Sequence, residues 1–283
     1  MKALILPNMS KARCGEITQT VIDILCQDNI EVCALTECND MIPDDRIEFI
    51  SLEHLKGNVD FAITIGGDGT IIKAANILLE TEIPLIGVNL GTLGFLAGVE
   101  VDELELLHKL KINDFNIEER LTLKVEIQND SEKKEFTAIN DVIICKNAFS
   151  GILDIDVSCG GIETARYRAD GVIFSTASGS TGYAMSAGGP IIHPTVKAIS
   201  LTPICAHSLL SRPIILPEFE RVLVKTNADL DKRSACVVAD GQNSCEVTQN
   251  DSITISRYCK NIRFICLNGK NYYSAINDKL MER

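Results

Sequence analysis

Residues 61–70 read Phe61-Ala62-Ile63-Thr64-Ile65-Gly66-Gly67-Asp68-Gly69-Thr70. The short apolar run predicts a buried strand, and the glycine-rich break that ends it predicts a loop where main chain comes close to a partner. Three glycines let backbone approach a phosphate without side-chain obstruction, and their N–H groups can point at anionic oxygen. The following segment, Thr70–Leu79, reads as a helix whose N-terminal N–H groups face the same spot. A carboxylate does nothing to hold phosphate, so Asp68 suggests a catalytic base or a metal contact.

Working outward, Ala3–Leu6, Val32–Leu35 and Pro84–Asn89 read as further short strands. Cys14–Gln27 carries Ile17, Val21 and Ile24 or Leu25 at helical spacing. This alternation predicts an α/β fold class with an N-terminal doubly wound parallel-sheet domain over residues 1–110. In such sheets ligands bind beyond the carboxyl ends of the strands, where the glycine loop falls. A helix is expected over Val101–Lys111. Strand pairs with polar turns follow: Leu121–Gln128, Phe136–Cys145, Ile152–Cys159, Gly171–Ser175, Ile199–Pro203, Val222–Lys225, Ala235–Ala239, Ser252–Ser256 and Ile262–Cys266. They predict a β-rich C-terminal domain over 111–265 with one helix around Gly182–Ala187. The polar tail, 266–283, is expected to pack back on the first domain.

The chain has 283 residues, a formal net charge of −12 and 46% hydrophobic residues, enough for two domains with sizeable cores. An acidic chain is a poor general binder of nucleic acid or of an anionic membrane, so neither is expected as a partner. An anionic small substrate needs only a few local cations and backbone amides. Eleven cysteines, an odd number without a Cys-x-x-Cys pair, and a start too soon interrupted at Pro7 for a signal peptide predict reduced thiols in a cytoplasmic protein. No apolar run approaches the roughly 20 residues of a membrane-spanning helix.

Four further stretches are candidates for the site. Gly87-Val88-Asn89-Leu90-Gly91-Thr92-Leu93-Gly94-Phe95-Leu96 predicts a second glycine-rich loop beside the first. Asn140-Asp141 stands just before an apolar strand, where such a pair also makes ordinary turns. Arg168-Ala169-Asp170-Gly171 precedes another strand and is compatible with a plain exposed ion pair. Ser178-Gly179-Ser180-Thr181-Gly182-Tyr183-Ala184-Met185-Ser186-Ala187-Gly188-Gly189-Pro190 is dense in small hydroxyl residues and lies between apolar strands.

Together with Asp240-Gly241-Gln242, these motifs resemble the NAD kinase family in their order, over most of the chain. The resemblance implies phosphorylation of the adenosine ribose 2′-hydroxyl of NAD, giving NADP, with ATP or another phosphoryl donor and a divalent metal, Mg2+ by expectation. It implies Asp68 as general base; Gly66, Gly67, Gly69 and Thr70 at phosphate; and Lys73 neutralising charge nearby. Asn140 and Asp141 would grip the ribose or nicotinamide side, while Arg168 and Asp170 would contact the dinucleotide, partly from a neighbouring subunit. Ser178, Thr181, Gly182, Tyr183 and Ser186 would cradle adenosine, with Tyr183 stacking, and Gln242 completes the binding set. A homo-oligomer, tetramer or dimer, joined through the β-rich domain is also implied. The chain departs from the family's usual pattern with Asp141 for Glu, Ala177 for Pro and Gly182 for Ala.

Phosphoryl transfer asks for an in-line hydroxyl, a nearby base and neutralised phosphate oxygens, which these residue types supply. There is no Gly-x-x-x-x-Gly-Lys-Ser/Thr, and Gly66–Ile72 does not complete Gly-x-Gly-x-x-Gly, so neither a P-loop kinase nor a hydride-transferring Rossmann enzyme is expected. Lipid and other small-molecule kinases with a glycine–aspartate loop are the alternative, as is a non-catalytic NAD sensor. A sensor has no need of Asp68.

Overall fold

The computed structural model describes residues 1–91, 94–147, 151–208, 211–227, 235–267, 272–273 and 276–277. Compactness divides the chain into two units. One is Met1–Glu119 with the segment from Ile262 onward, and the other is Arg120–Asn261.

The first unit is built on strands β1 (Lys2–Pro7), β2 (Glu31–Leu35), β3 (Ile47–Ile50), β4 (Phe61–Gly66), β5 (Leu85–Asn89), β6 (Val99–Glu100) and β7 (Phe115–Arg120), with Ile262–Leu267 added from the far end of the chain. The sheet runs β3-β2-β1-β4-β5, then Ile262–Leu267, then β7, while β6 pairs with β5. The pairs from β3 through β5, and those of β5 with β6 and Ile262–Leu267, are parallel. Every residue of β4 and β5 is buried, as expected of strands covered on both faces. Helix α1 (Cys14–Gln27) buries Cys14, Ile17, Val21 and Ile24 among others, and α2 (Asp68–Leu78) buries Ile71, Ala74, Ala75 and Leu78, a stripe at i, i+3, i+4 and i+7. The strand order reverses between β1 and β4, which puts the switch point at their carboxyl ends.

The second unit consists of two six-stranded antiparallel sheets. Its strands are β8 (Leu123–Gln128), β9 (Lys133–Ala138), β10 (Asp141–Lys146), β11 (Leu153–Cys159), β12 (Ile162–Ala169), β13 (Gly171–Thr176), β14 (Ala198–Ile204), β15 (Ile214–Pro217), β16 (Val222–Thr226), β17 (Ala235–Ala239), β18 (Asn243–Val247) and β19 (Ser252–Arg257). One sheet has the order β15-β14-β13-β10-β17-β18 and the other β12-β11-β16-β19-β8-β9. Alternation sets the core: Leu123, Val125 and Ile127 of β8 point inward between Lys124 and Glu126, and meet Val142, Ile144, Val172 and Phe174 of the other sheet.

Several expectations shift. The helix expected at Thr70 begins at Asp68, because Gly67 caps it in an extended conformation (φ −99°, ψ −177°) and its carbonyl accepts the Thr70 and Ile71 N–H groups. Asp68 is therefore a first-turn helical residue, favoured there by the helix dipole. The helix expected over Val101–Lys111 is a 3-10 segment, Val101–Leu107, followed by one α turn, His108–Lys111. The single strand expected over Phe136–Cys145 is two strands in different sheets, with the crossing at Ile139-Asn140. The helix expected near Gly182–Ala187 is a 3-10 turn, Ser178–Thr181, and one α turn, Tyr183–Ser186. The first unit runs past the expected boundary at 110 because Phe115–Arg120 adds a strand to its sheet, and it resumes at Ile262, a strand assigned in advance to the β-rich domain. Most of the tail 266–283 and Thr92-Leu93 of the second glycine loop lie outside the described residues.

Phe174 is fully buried at the centre of the second unit's core, whereas Leu223 stands 37% exposed. Phe174→Ala should lower the unfolding free energy by about 3–5 kcal/mol, and Leu223→Ala should change it by about 0.5 kcal/mol or less. Urea titration with matched slopes measures both.

Candidate active site

In the first unit, a cavity of about 510 Å3 opens at the switch point. Asn8 and Lys11 line it from the loop after β1; Gly67, Asp68, Gly69, Thr70 and Lys73 from the start of α2; and Gly91 and Gly94 from the loop after β5. The Asp68 and Gly69 N–H groups at the start of α2 have no preceding turn to bond and, with the dipole, favour an anion there. Lys11 and Lys73 are exposed cations on the same cavity. A side chain on Gly67 or Gly69 would meet no protein atom within 4 Å, so both glycines leave room for a ligand. Gly66 is different. It is buried and outside the lining, and a Cβ there would collide with the Thr70 side chain. Asn8 braces the site: its N–H donates to the Ile65 carbonyl at 2.9 Å and its Nδ2 to Thr70 Oγ1 at 3.0 Å.

The second glycine loop lies against the first. The Leu90 N–H donates to the Gly66 carbonyl at 2.9 Å. The N–H groups of Phe95 and Leu96 donate to Asp68 Oδ2 and Oδ1 at 2.9 and 3.3 Å, which fixes the carboxylate plane. A Cβ on Gly94 would strike Asp68 Oδ1, so the loop reaches the carboxylate only because residue 94 is glycine. Each carboxylate oxygen retains a lone pair for a further donor. This arrangement can hold a polyphosphate and accept a proton from a hydroxyl.

In the second unit, Asn140 and Asp141 stand where the chain leaves β9 for β10. The Thr176 N–H donates to the Asn140 carbonyl and Thr176 Oγ1 to the Ile139 carbonyl, both at 2.8 Å. A Cβ on Gly179 would strike that Asn140 carbonyl. Asp141 is 6% exposed, and burial, with the nearby Asp240 carboxylate second, pushes its pKa up to about 7. Asn140 Oδ1 is buried without a hydrogen-bond partner among the described residues. The position a Gly182 Cβ would take is 3.9 Å from Asn140 Nδ2 and 4.0 Å from Asp141 Oδ2, so the glycine leaves both side chains open. Tyr183 is 47% exposed beside them, an aromatic face free for a base.

Other expected residues are placed differently. Ser178 is buried, with its Oγ 3.4 Å from Arg120 Nη1, and Thr181 Oγ1 donates to the Ser178 carbonyl at 3.3 Å. Ser186 and Gln242 are exposed. Asp170 pairs with Lys146 Nζ at 2.7 Å at the far end of β10, about 17 Å from Asp141 by strand rise. Arg168 is exposed on edge strand β12, in the other sheet from β10. Sequence reasoning missed Asn8, Lys11 and Thr176. The first two carried a signal, since they directly follow the first strand of a doubly wound sheet.

The descriptions "ATP-NAD kinase N-terminal domain" and "ATP-NAD kinase C-terminal domain" match residues 4–112 and 139–267. A curated NAD kinase from Lachnoclostridium phytofermentans is 35% identical over 290 aligned residues, covering 100% of this chain and 99% of that one. One from Geobacter sulfurreducens is 36% identical, covering 88% and 91%. Yeast NADH kinase complexed with NADH shares the fold at a TM-score of 0.89 and 23% identity, covering 100% of this chain and 88% of that one. An NAD kinase from Archaeoglobus fulgidus in complex with ATP does so at 0.74 and 24%, covering 99% of each. The chain belongs to the NAD kinase family, and its activity is that of an NAD kinase.

Proposed function

We propose that the chain transfers the γ-phosphoryl group of ATP to the 2′-hydroxyl of the adenosine ribose of NAD, with Asp68 as general base. The observation that carries this reading is a carboxylate at a helix N-terminus, fixed by two backbone amides in a cavity lined by two lysines. The ribose oxygen attacks phosphorus as its proton passes to Asp68, and the bond to the ADP oxygen breaks. Positioned proton acceptance of this kind contributes about 10²–10⁴-fold. Lys11, Lys73 and the first-turn amides of α2 neutralise phosphate oxygens. A non-catalytic sensor would use this carboxylate only to hold the second glycine loop.

The residues fit a divalent ion that arrives on the nucleotide. Asp68 is a hard oxygen donor on the cavity, and no group of three or more His, Cys, Asp or Glu suited to a metal occurs among the described residues. Magnesium is commonly held by one or two carboxylates and substrate phosphates. Asp68 and the phosphates would hold it, and the ion would neutralise charge on the transferring group.

Dinucleotide recognition we assign to the second unit. Asp141 supplies an acceptor, Asn140 an unpartnered amide oxygen and an amide donor, and Tyr183 a stacking face. Arg168, Asp170, Ser178, Thr181, Ser186 and Gln242 remain part of the proposed set, with Arg168 and Asp170 meeting a different part of the ligand from Asp141. A homo-oligomer through this unit is supported by the exposed Ile162 on β12, Leu223 on β16 and Phe219 just before β16, strands at the β12 end of one sheet.

Three outcomes are expected. Asp68→Asn should lower kcat by about 10²–10⁴-fold with calorimetric NAD affinity nearly unchanged; near-normal turnover would remove Asp68 as the base. Tyr183→Ala should weaken NAD binding about tenfold, within the range of base–aromatic stacking, with a smaller effect on kcat at saturating NAD. Light scattering should give a multiple of the 30.9 kDa chain mass, and a monomer alone at working concentration would contradict assembly.

A further inference from the structure

The turn between β17 and β18 reaches back to the junction of β9 and β10 through a half-buried carboxylate, Asp240. Ala239 pairs with Asn243, and Asp240 and Gly241 both take positive φ, 50° and 65°. The Gln242 N–H closes the turn on the Ala239 carbonyl at 3.0 Å. Three residues, Asp240 to Gln242, join the strands, and Asp and Gly are residue types that tolerate the left-handed backbone at the first two. The turn aims the Asp240 carboxylate at the β9–β10 junction. Asp240 Oδ2 accepts the Ile139 N–H at 2.7 Å, while Oδ1 accepts the N–H groups of Asn140 at 2.8 Å and Asp141 at 3.1 Å. In return, the Asp240 N–H donates to the Asp141 carbonyl at 3.0 Å. Three successive amides thus converge on one side chain, just where the chain changes sheets and has no ladder partner for all of them.

We propose that Asp240 is a positioning residue, which holds the Ile139–Asp141 junction in the shape that presents Asn140 and Asp141 to the dinucleotide. The proposal rests on the reading of Asp141 as a nucleotide ligand. It adds a second consequence, because the charge that organises the junction also bears on the carboxylate it presents. Asp240, from the hairpin turn, is the charged group acting on Asp141, while Asp141 acts in turn on Tyr183 from the helical turn, whose pKa is raised chiefly by burial. Burial is the larger cause of the raised Asp141 pKa and Asp240 the second. Asp141 therefore ionises as pH rises through about 7, and the ionised form is the stronger acceptor for a ribose hydroxyl. KM for NAD should fall as pH rises through that point.

The test compares Asp240→Asn and Asp141→Asn in the full-length enzyme, with KM for NAD and kcat measured from pH 5.5 to 9. Asn tolerates the left-handed backbone, but its amide turns one donor toward the junction and its charge is gone. Asp240→Asn should raise KM for NAD about fivefold at pH 8, the size of one lost hydrogen bond, with a smaller change in kcat. It should also move the pH midpoint of KM below that of the wild type. An unchanged KM overturns the proposal, and so does a raised KM with an unmoved midpoint, which marks a merely loosened turn. Asp141→Asn should raise KM and abolish its titration near neutrality. Wild-type behaviour in Asp141→Asn would instead sink the underlying ligand assignment. If Asp240→Asn does not fold, Asp240→Gly keeps the backbone conformation and is read in the same way.

Discussion

The first unit depends on two main-chain amides reaching one carboxylate. The Phe95 and Leu96 N–H groups can bond Asp68 only if the loop after β5 passes within contact of the first turn of α2. That approach needs β4 and β5 to be parallel neighbours, so that both loops leave the same edge of the sheet. It needs Gly94 bare so that the carboxylate is not displaced, Gly66 bare so that Thr70 can close the turn, and Gly87 bare so that Ile71 can lie on β5. Three glycines at three close approaches turn an ordinary parallel sheet into a site. Gly67 and Gly69 on the cavity answer a different need, open space for a ligand.

The second unit reaches a similar end by other means. Its two sheets share a strand path that must cross from one to the other, and the crossing leaves backbone amides without ladder partners. The Asp240 carboxylate on the β17–β18 hairpin accepts them, while Thr176 Oγ1 of β13, itself accepting the Gly179 N–H, donates to the Ile139 carbonyl. The cost is a poorly solvated acid, Asp141, with its pKa pushed up to about 7. Desolvation penalises its charged form, so the junction is less stable with Asp141 ionised. The contribution of the neutral carboxyl is whole below the ordinary aspartate range and is lost as pH rises through about 7. A ligand donor facing Asp141 would offset part of that loss.

The central strands were legible because burial on one or two faces writes a period into the sequence. Phe61–Gly66 and Leu123–Gln128 show it plainly. The strands that escaped notice, Ile47–Ile50, Phe115–Arg120, Ile162–Ala169, Ile214–Pro217 and Asn243–Val247, are all edges of their sheets. Edge strands such as Ile162–Ala169 carry polar, exposed residues that discourage further pairing, and so lose the apolar alternation. The break at Ile139-Asn140 did carry a signal, because Asn140 and Asp141 interrupt the apolar run just where the chain changes sheets. At the site, Asp68 and its glycines stood out in composition. Asn8 and Lys11 did not stand out in composition; their signal was positional, in the loop after the first strand, and the sheet order brings that loop to the cavity. Arg168 and Asp170 were expected at the dinucleotide by resemblance alone, and the pairing of β10 with β13 puts Asp170 a strand's length from Asp141.

The most direct test of this account is Gly94→Ala, a single methyl directed at the Asp68 carboxylate. The account predicts that kcat falls by about 10²-fold or more, on the scale of a displaced general base, while NAD affinity and the thermal unfolding midpoint stay close to wild type. Wild-type kcat in a folded Gly94→Ala enzyme would contradict it, because the carboxylate would then work without the loop that fixes it.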